Sequence, residues 1–146
     1  FMQQQANLFG ARLKAGKIRD CHGDLHMRNI CLADGVYIFD CLEFNPRFRY
    51  SDVAADIDFL AMDLDFHAYE EFSNYFVDAF AVVSADPDIL KLVNFYKCYR
   101  AVVRGKIQAF AAEEVELPAA DRRRAQELAR NYFDLAWRYT RKDSYA

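Results

Sequence analysis

The residues best equipped for chemistry run from His22 to Asp40. His22-Gly23-Asp24-Leu25-His26-Met27-Arg28-Asn29 is followed, eleven residues after Asn29, by Asp40 at the end of the apolar run Val36-Tyr37-Ile38-Phe39. An Asp, an Asn five residues later and a second Asp closing a strand suit Mg²⁺-dependent phosphoryl transfer. That reaction needs phosphate charge neutralised and an acceptor hydroxyl held in line, with little covalent work for the protein. Mg²⁺ takes hard oxygen ligands, keeps several waters and draws only one or two carboxylates from the protein. Asn29 and Asp40 are suited to that task, which leaves Asp24 to face the hydroxyl. A competing chemistry is a zinc-type site built on His22, Asp24 and His26 with Cys21 close by. It finds no convincing fourth ligand downstream, because His67 stands alone in a helical stretch.

The elements that must position these groups are readable from pattern. Ile30-Cys31-Leu32 and Val36-Tyr37-Ile38-Phe39 are short apolar runs separated by Ala33-Asp34-Gly35, and Asp-Gly between two such runs signals a hairpin. Its antiparallel pairing would set the end carrying Asn29 beside the end carrying Asp40. Upstream, Phe1 to Leu13 reads as a helix already in progress with Gly16 as its stop, so the chain is expected to be a piece of something longer. Downstream the spacing predicts helices over Asp52–His67, around Phe72–Val83, from Leu92 to Ile107 with Gly105 a weak point, and from about Ala120 to Tyr139 after Pro118. The expected architecture is α+β and mainly helical, a single domain over residues 1–146 whose small β-hairpin carries the polar cluster.

Composition narrows the classes further. The chain has 146 residues, 53% apolar and 16% aromatic, enough to bury a core and too apolar for disorder. A net charge of −3 gives no general attraction to nucleic acid or to an anionic membrane, and no stretch has the length of a membrane span. Neither is expected as a partner. Four cysteines without CxxC or framework spacing read as reduced thiols of a cytoplasmic protein.

With Ile38-Phe39-Asp40, the pattern His22-Gly23-Asp24-x-x-x-x-Asn29 resembles the catalytic and metal-binding motifs of the aminoglycoside phosphotransferase family, relatives of the protein kinases. The longer string from Asp40-Cys41-Leu42-Glu43-Phe44-Asn45 through Arg47-Phe48-Arg49-Tyr50 to Asp52-Val53-Ala54 is similar to a bacterial branch described only as aminoglycoside-phosphotransferase-like, sometimes fused to a P-loop kinase domain. The resemblance covers about residues 1–110 and implies a protein-kinase-like C-terminal lobe. It also implies ATP and Mg²⁺ as cofactors and a small-molecule hydroxyl as acceptor. Carried over by position, Asp24 would be the catalytic Asp, His22 the structural His of the loop, and Asn29 and Asp40 the Mg²⁺ and nucleotide-phosphate ligands. Asp52 would be the buried anchor of the catalytic-loop backbone. Two departures stand out. The chain has no Gly-rich phosphate loop or ATP-binding Lys, so an N-terminal lobe of the same protein is an expected partner, and His26 and Arg28 vary the loop interior. The alternative is a non-catalytic kinase-like module that binds a ligand or regulates a larger multidomain protein.

Other residues have weaker functional readings. Glu43 is a candidate contact to metal or a cationic acceptor, while Arg47 and Arg49 are candidates for phosphate or an acidic acceptor, since Arg forks suit both. For each, local anchoring of a loop is the plainer reading. Asp52, Asp56 and Asp63 share a helix stripe that could draw in a cation, although for Asp63 and Asp65 a solvated face is the expectation, and Asp52 can cap its helix. Arg122-Arg123-Arg124 reads as a solvated face rather than a nucleic-acid site. Tyr96, Tyr99 and Tyr132 read as core, and Cys21, Cys31 and Cys41 as small buried hydrophobes.

Overall fold

The Asp-Gly signal is realised as a hairpin. In the computed structural model, which describes residues 1–141, strands β2 (Ile30–Leu32) and β3 (Val36–Ile38) pair antiparallel with Ile30 opposite Ile38 and Leu32 opposite Val36. The turn closes through Ala33 N–H donating to Gly35 O at 3.0 Å. A second two-stranded sheet has no alternation to announce it: β1 (Ile18–Asp20) pairs antiparallel with β4 (Tyr50–Asp52), Ile18 opposite Asp52 and Asp20 opposite Tyr50. That sheet fastens both ends of the polar segment, one strand before it and one after it.

Everything else is helical: α1 (Ala6–Lys14), a one-turn α2 (Pro46–Arg49), α3 (Val53–Phe66), α4 (Glu70–Val83), α5 (Val93–Glu113) and α6 (Ala119–Thr140), with short 3₁₀ turns at Met27–Asn29 and Pro87–Lys91. Among the described residues no helix is long and apolar enough to cross a membrane. α1 carries Arg12 and Lys14 in its last turn, where cations suit the helix dipole, and ends before Gly16 at φ +67°. α5 does not break at Gly105. The glycine instead lets Phe133 of α6 lie close, since a Cβ there would sit 2.8 Å from the Phe133 ring.

α3 is the axle. Eleven of its fourteen residues are buried, so it is enclosed on nearly all sides and feeds two cores. Ile57, Leu60 and Ala61 join Leu25, Val77, Ile89, Leu92 and Val93 on one side. Phe59 and Met62 join Ala101, Tyr132, Leu135, Ala136 and Tyr139 on the other. This enclosure overturns the solvated reading of Asp63 and Asp65, both of which are buried. Asp65 accepts from Lys97 Nζ at 3.0 Å and from the Tyr139 hydroxyl, and Asp63 accepts from the Met27 amide at 2.9 Å. Tyr99 and Cys31 also depart from expectation in being exposed, because α5 turns Tyr99 outward and the whole hairpin from Cys31 to Asp40 stands clear of the core.

Two further carboxylates define the frame. Buried Arg12 forks onto Asp52, Nε to Oδ2 at 2.6 Å and Nη2 to Oδ1 at 2.7 Å, and reaches Asp86 with Nη1 at 2.9 Å. Burial opposes the Arg12 charge, but the hydrogen bonds from Asp52 and Asp86 more than offset it and hold its pKa above the usual arginine value. Asp58 has no such relief. It is fully buried, and neither carboxylate oxygen accepts a hydrogen bond among the described residues. Burial pushes its pKa well above the carboxylate range.

Replacing Arg12 with Leu leaves two buried carboxylates without their guanidinium. It is expected to lower the unfolding free energy by about 3–5 kcal/mol in urea denaturation, and a loss below about 1 kcal/mol would show that the pair does not hold α1 to α3. For Asp58 the sign runs the other way from an ordinary ion-paired carboxylate. Its folded pKa is raised, so between the unfolded value and the folded one the native state holds the extra proton, and stability falls as pH rises. Asp58→Asn is expected to become progressively more stable relative to the parent from about pH 4 upward. Denaturation at a series of pH values checks this, and a constant difference would contradict it.

Candidate active site

The loop from His22 to Asn29 is held by its backbone. Both oxygens of the Asp56 carboxylate are used: Oδ2 accepts from the His22 amide and Oδ1 from the Gly23 amide, each at 2.9 Å. Asp56 thus does the work the sequence assigned to Asp52. The two are one turn apart on the same face, and Asp52 is occupied with Arg12 and with capping α3 through the Ala54 amide at 2.9 Å. Gly23 adopts φ +83°, and a Cβ there would lie 2.9 Å from Leu42 and 3.3 Å from the Phe48 carbonyl. Only glycine meets both constraints. Buried Arg100 completes the clamp, donating from Nη1 to Gly23 O at 3.2 Å and from Nε to Ala55 O at 2.9 Å.

His22 is a strut between loop and hairpin. Its Nδ1 accepts from the Asp24 amide at 3.3 Å, and its Nε2 lies 2.8 Å from Phe39 O. Because Nδ1 is an acceptor, the proton belongs on Nε2, which donates to that carbonyl. The histidine expected to be structural has structural partners, and none of its contacts reaches a side chain that could react.

Asp24, Asn29 and Asp40 converge as hairpin pairing requires. Phe39 N–H donates to Asn29 O at 3.1 Å, so the residues just outside the two strands are paired as well. Asn29, itself buried, donates from Nδ2 to Asp24 O at 3.0 Å and approaches Asp40 O at 3.5 Å. With Nδ2 committed to these carbonyls, the hard Oδ1 is the end left for a metal. Asp40 sits at φ +61°, a left-handed conformation that Asp tolerates better than most residues and that recurs at functional sites. The side chain of Asp24 is one-third exposed, with its Oδ2 3.3 Å from His26 Nε2. The hydrogen bond from His26 is the largest influence on Asp24 and holds its pKa below the ordinary value. Arg104 and His22 act in the same direction, and burial opposes them.

The loop and the hairpin ends bring one amide and two carboxylates together here. Among the described residues no three His, Cys, Asp or Glu side chains are grouped to hold a metal alone. His22 Nε2 faces Phe39 O and its Nδ1 accepts from the Asp24 amide, and His26 Nε2 faces the Asp24 carboxylate. An amide oxygen beside one or two carboxylates, with phosphate and water completing the shell, is the donor set Mg²⁺ accepts. Asp24, Asp40 and Glu43 line one small open cavity of about 330 Å³.

A larger cavity of about 690 Å³ opens on the other side of Asp24, reaching Arg47 and Phe48 of α2 and Tyr99, Arg100 and Arg104 of α5. Arg47 is exposed at its rim, where the Asn45 side chain caps α2 by accepting the Arg47 amide at 3.0 Å. Arg49 is not at either cavity. Its guanidinium forks onto Asp20 at 2.7 and 2.8 Å, which ties α2 to β1.

No known protein family's sequence profile matches the chain, and no solved structure matches it. Among curated proteins it is similar to the uncharacterized protein Rv2004c of Mycobacterium tuberculosis and the uncharacterized protein Mb2027c of Mycobacterium bovis. Each is 43% identical over 109 residues, covering 74% of this chain and 22% of the relative. The chain thus spans about a fifth of the length of the curated relatives it matches.

Sequence reading missed Arg100 and Arg104, and it placed Asp56 on a cation-drawing stripe rather than under the loop. Asp56 had a usable signal, since it lies four residues after Asp52 on the same helical face. An Arg inside the apolar pattern of α5 is ambiguous until something is seen beneath it. Asp56→Ala removes one carboxylate from two backbone amides. It is expected to cost about 3 kcal/mol and to speed hydrogen exchange at the His22 and Gly23 amides more than elsewhere. Unchanged protection at those two amides would show that Asp56 does not hold the loop.

Proposed function

We propose that this chain is the acceptor-binding and catalytic lobe of an ATP-dependent phosphotransferase acting on a hydroxyl of a small molecule, with the organisation of a protein-kinase C-terminal lobe. The observation that carries the reading is the meeting of Asp24, Asn29 and Asp40. One buried amide joins the backbones of both aspartates, and both aspartates border the same small cavity.

In this reading Asn29 Oδ1 and the Asp40 carboxylate would hold Mg²⁺, which would supply neutralising charge at the nucleotide phosphates. Asp24 stays ionised because its pKa is held low, so it accepts a hydrogen bond from the acceptor hydroxyl and aligns an oxygen lone pair on the γ-phosphorus. A weak base suffices where bond-breaking to the leaving group runs ahead of attack, because the hydroxyl proton is lost late. His26 fixes the Asp24 rotamer, and the clamp of Asp56 and Arg100 on the loop backbone keeps that carboxylate from wandering. The hairpin leaves Leu32, Val36, Ile38 and Phe39 exposed, an apolar face on which a nucleotide-binding lobe of a longer protein would close.

The test is phosphate transfer from γ-labelled ATP in the presence of Mg²⁺, using the longest native protein that contains this segment. The acceptor panel would hold aminoglycosides, sugars and hydroxy acids. Asp24→Asn is expected to lower turnover by about 10²–10⁴-fold with nucleotide binding retained, and Asp40→Asn to abolish transfer together with Mg·ATP binding. Near-normal turnover in Asp24→Asn would remove its catalytic role. No turnover and no Mg·ATP binding in the folded whole protein would favour a non-catalytic binding module.

A further inference from the structure

The larger cavity beside Asp24 carries a positive charge of which the sequence announced only Arg47. The aspartates of α3 invite the expectation of a cationic ligand, but the fold spends them elsewhere. Asp52 is forked by Arg12, Asp56 holds two loop amides and Asp63 accepts from Met27. The charged groups lining the cavity are Arg47, Arg100, Arg104, Asp24 and Asp52, and of these Asp52 is already neutralised by the Arg12 fork. Arg47 and Arg104 have no carboxylate partner among the described residues, and the Arg104 guanidinium lies over the Tyr132 ring at 5.8 Å. Arg100 is only 8% exposed and donates to two backbone carbonyls, and among the described residues no carboxylate comes within ion-pair distance of it, although Asp56 acts on it from further off. A guanidinium in that state favours a desolvated anion beside it.

The walls are aromatic. Phe59 lies under the Arg100 guanidinium at 4.7 Å, Tyr99 lies 5.8 Å from it, and Phe44 and Phe48 meet edge to face at 6.1 Å at the rim. A volume of about 690 Å³ is that of a small-molecule pocket.

We infer that this cavity binds a small ring-bearing anion, a hydroxy compound carrying a carboxylate or phosphate, with the anion on Arg47 and Arg104, the ring among the aromatic side chains and the hydroxyl turned to Asp24. Calling that ligand the acceptor rests on the phosphotransferase reading, whereas the binding does not. The cavity therefore disfavours polycationic aminoglycosides, which would bring ammonium groups against three arginines.

A matched series tests this by calorimetry on the longest native protein carrying the segment, without nucleotide or metal. 4-Hydroxyphenylacetate and 4-hydroxyphenyl phosphate supply the two anions, 4-hydroxyphenethyl alcohol the neutral body and tyramine the cation. At least one anion is expected to bind about tenfold or more tighter than the alcohol and tyramine. Arg104→Gln and Arg47→Gln should each erase most of that advantage while leaving the alcohol's affinity and the melting temperature near the parent's. Equal or tighter binding of tyramine, no binding of any member, or an anion preference that survives both substitutions would overturn the inference. Transfer of phosphate to amines without anion preference would overturn it while leaving the phosphotransferase intact. Anion binding in a protein that never transfers phosphate would do the reverse.

Discussion

Buried carboxylates constrain this fold more than any other feature. A helix enclosed on nearly every side can carry Asp56, Asp63 and Asp65 as ions only if donors are aimed at them, because an ion left unpaired in a core loses far more hydration than packing returns, and Asp58, which has no such donor among the described residues, has its pKa pushed up instead. The donors come from every direction. Arg12 reaches in from α1 to Asp52 at the start of α3, Lys97 and Tyr139 from the last two helices, and amides at His22, Gly23 and Met27 from the polar loop. The need to satisfy charge therefore also assembles the site. A loop with few apolar residues could not be held against α3 by hydrophobic burial alone, so it is held by two carboxylates accepting its backbone amides.

The same arrangement separates the electrostatics of the site into two regions. On the hairpin side, Asp24, Asp40 and Glu43 border a small acidic opening. On the α5 side, the arginines face an aromatic cavity whose one contribution from the acidic stripe, Asp52, is forked by Arg12. Asp24 stands between them, its carboxylate kept ionised by His26 and reachable from both sides.

Local chemistry was legible wherever it depended on neighbours in sequence. Asp34-Gly35 announces the hairpin, Asp52 announces the start of α3, and Pro118 marks the start of α6, all through backbone preferences that act within a few residues. The spacing of Asn29 and Asp40 across the hairpin placed the polar cluster for the same reason. Gly105 shows the limit. Its low helix propensity suggested a weak point, but the approach of Phe133 from α6 supplies packing that propensity cannot register.

The sequence by itself determined which residue types stand near the loop, the helical periods and the hairpin that gathers Asp24, Asn29 and Asp40, because these follow from side-chain chemistry and short-range geometry. Only the tertiary structure decided that Asp56 rather than Asp52 holds the loop, that Arg49 spends its charge on Asp20, and that Arg100 and Arg104 face the cavity. In each of these cases a residue had several equally good partners along the chain. Which one it took depended on which helix came to lie against it, through contacts between residues as far apart as Gly23 and Arg100 that no local pattern encodes.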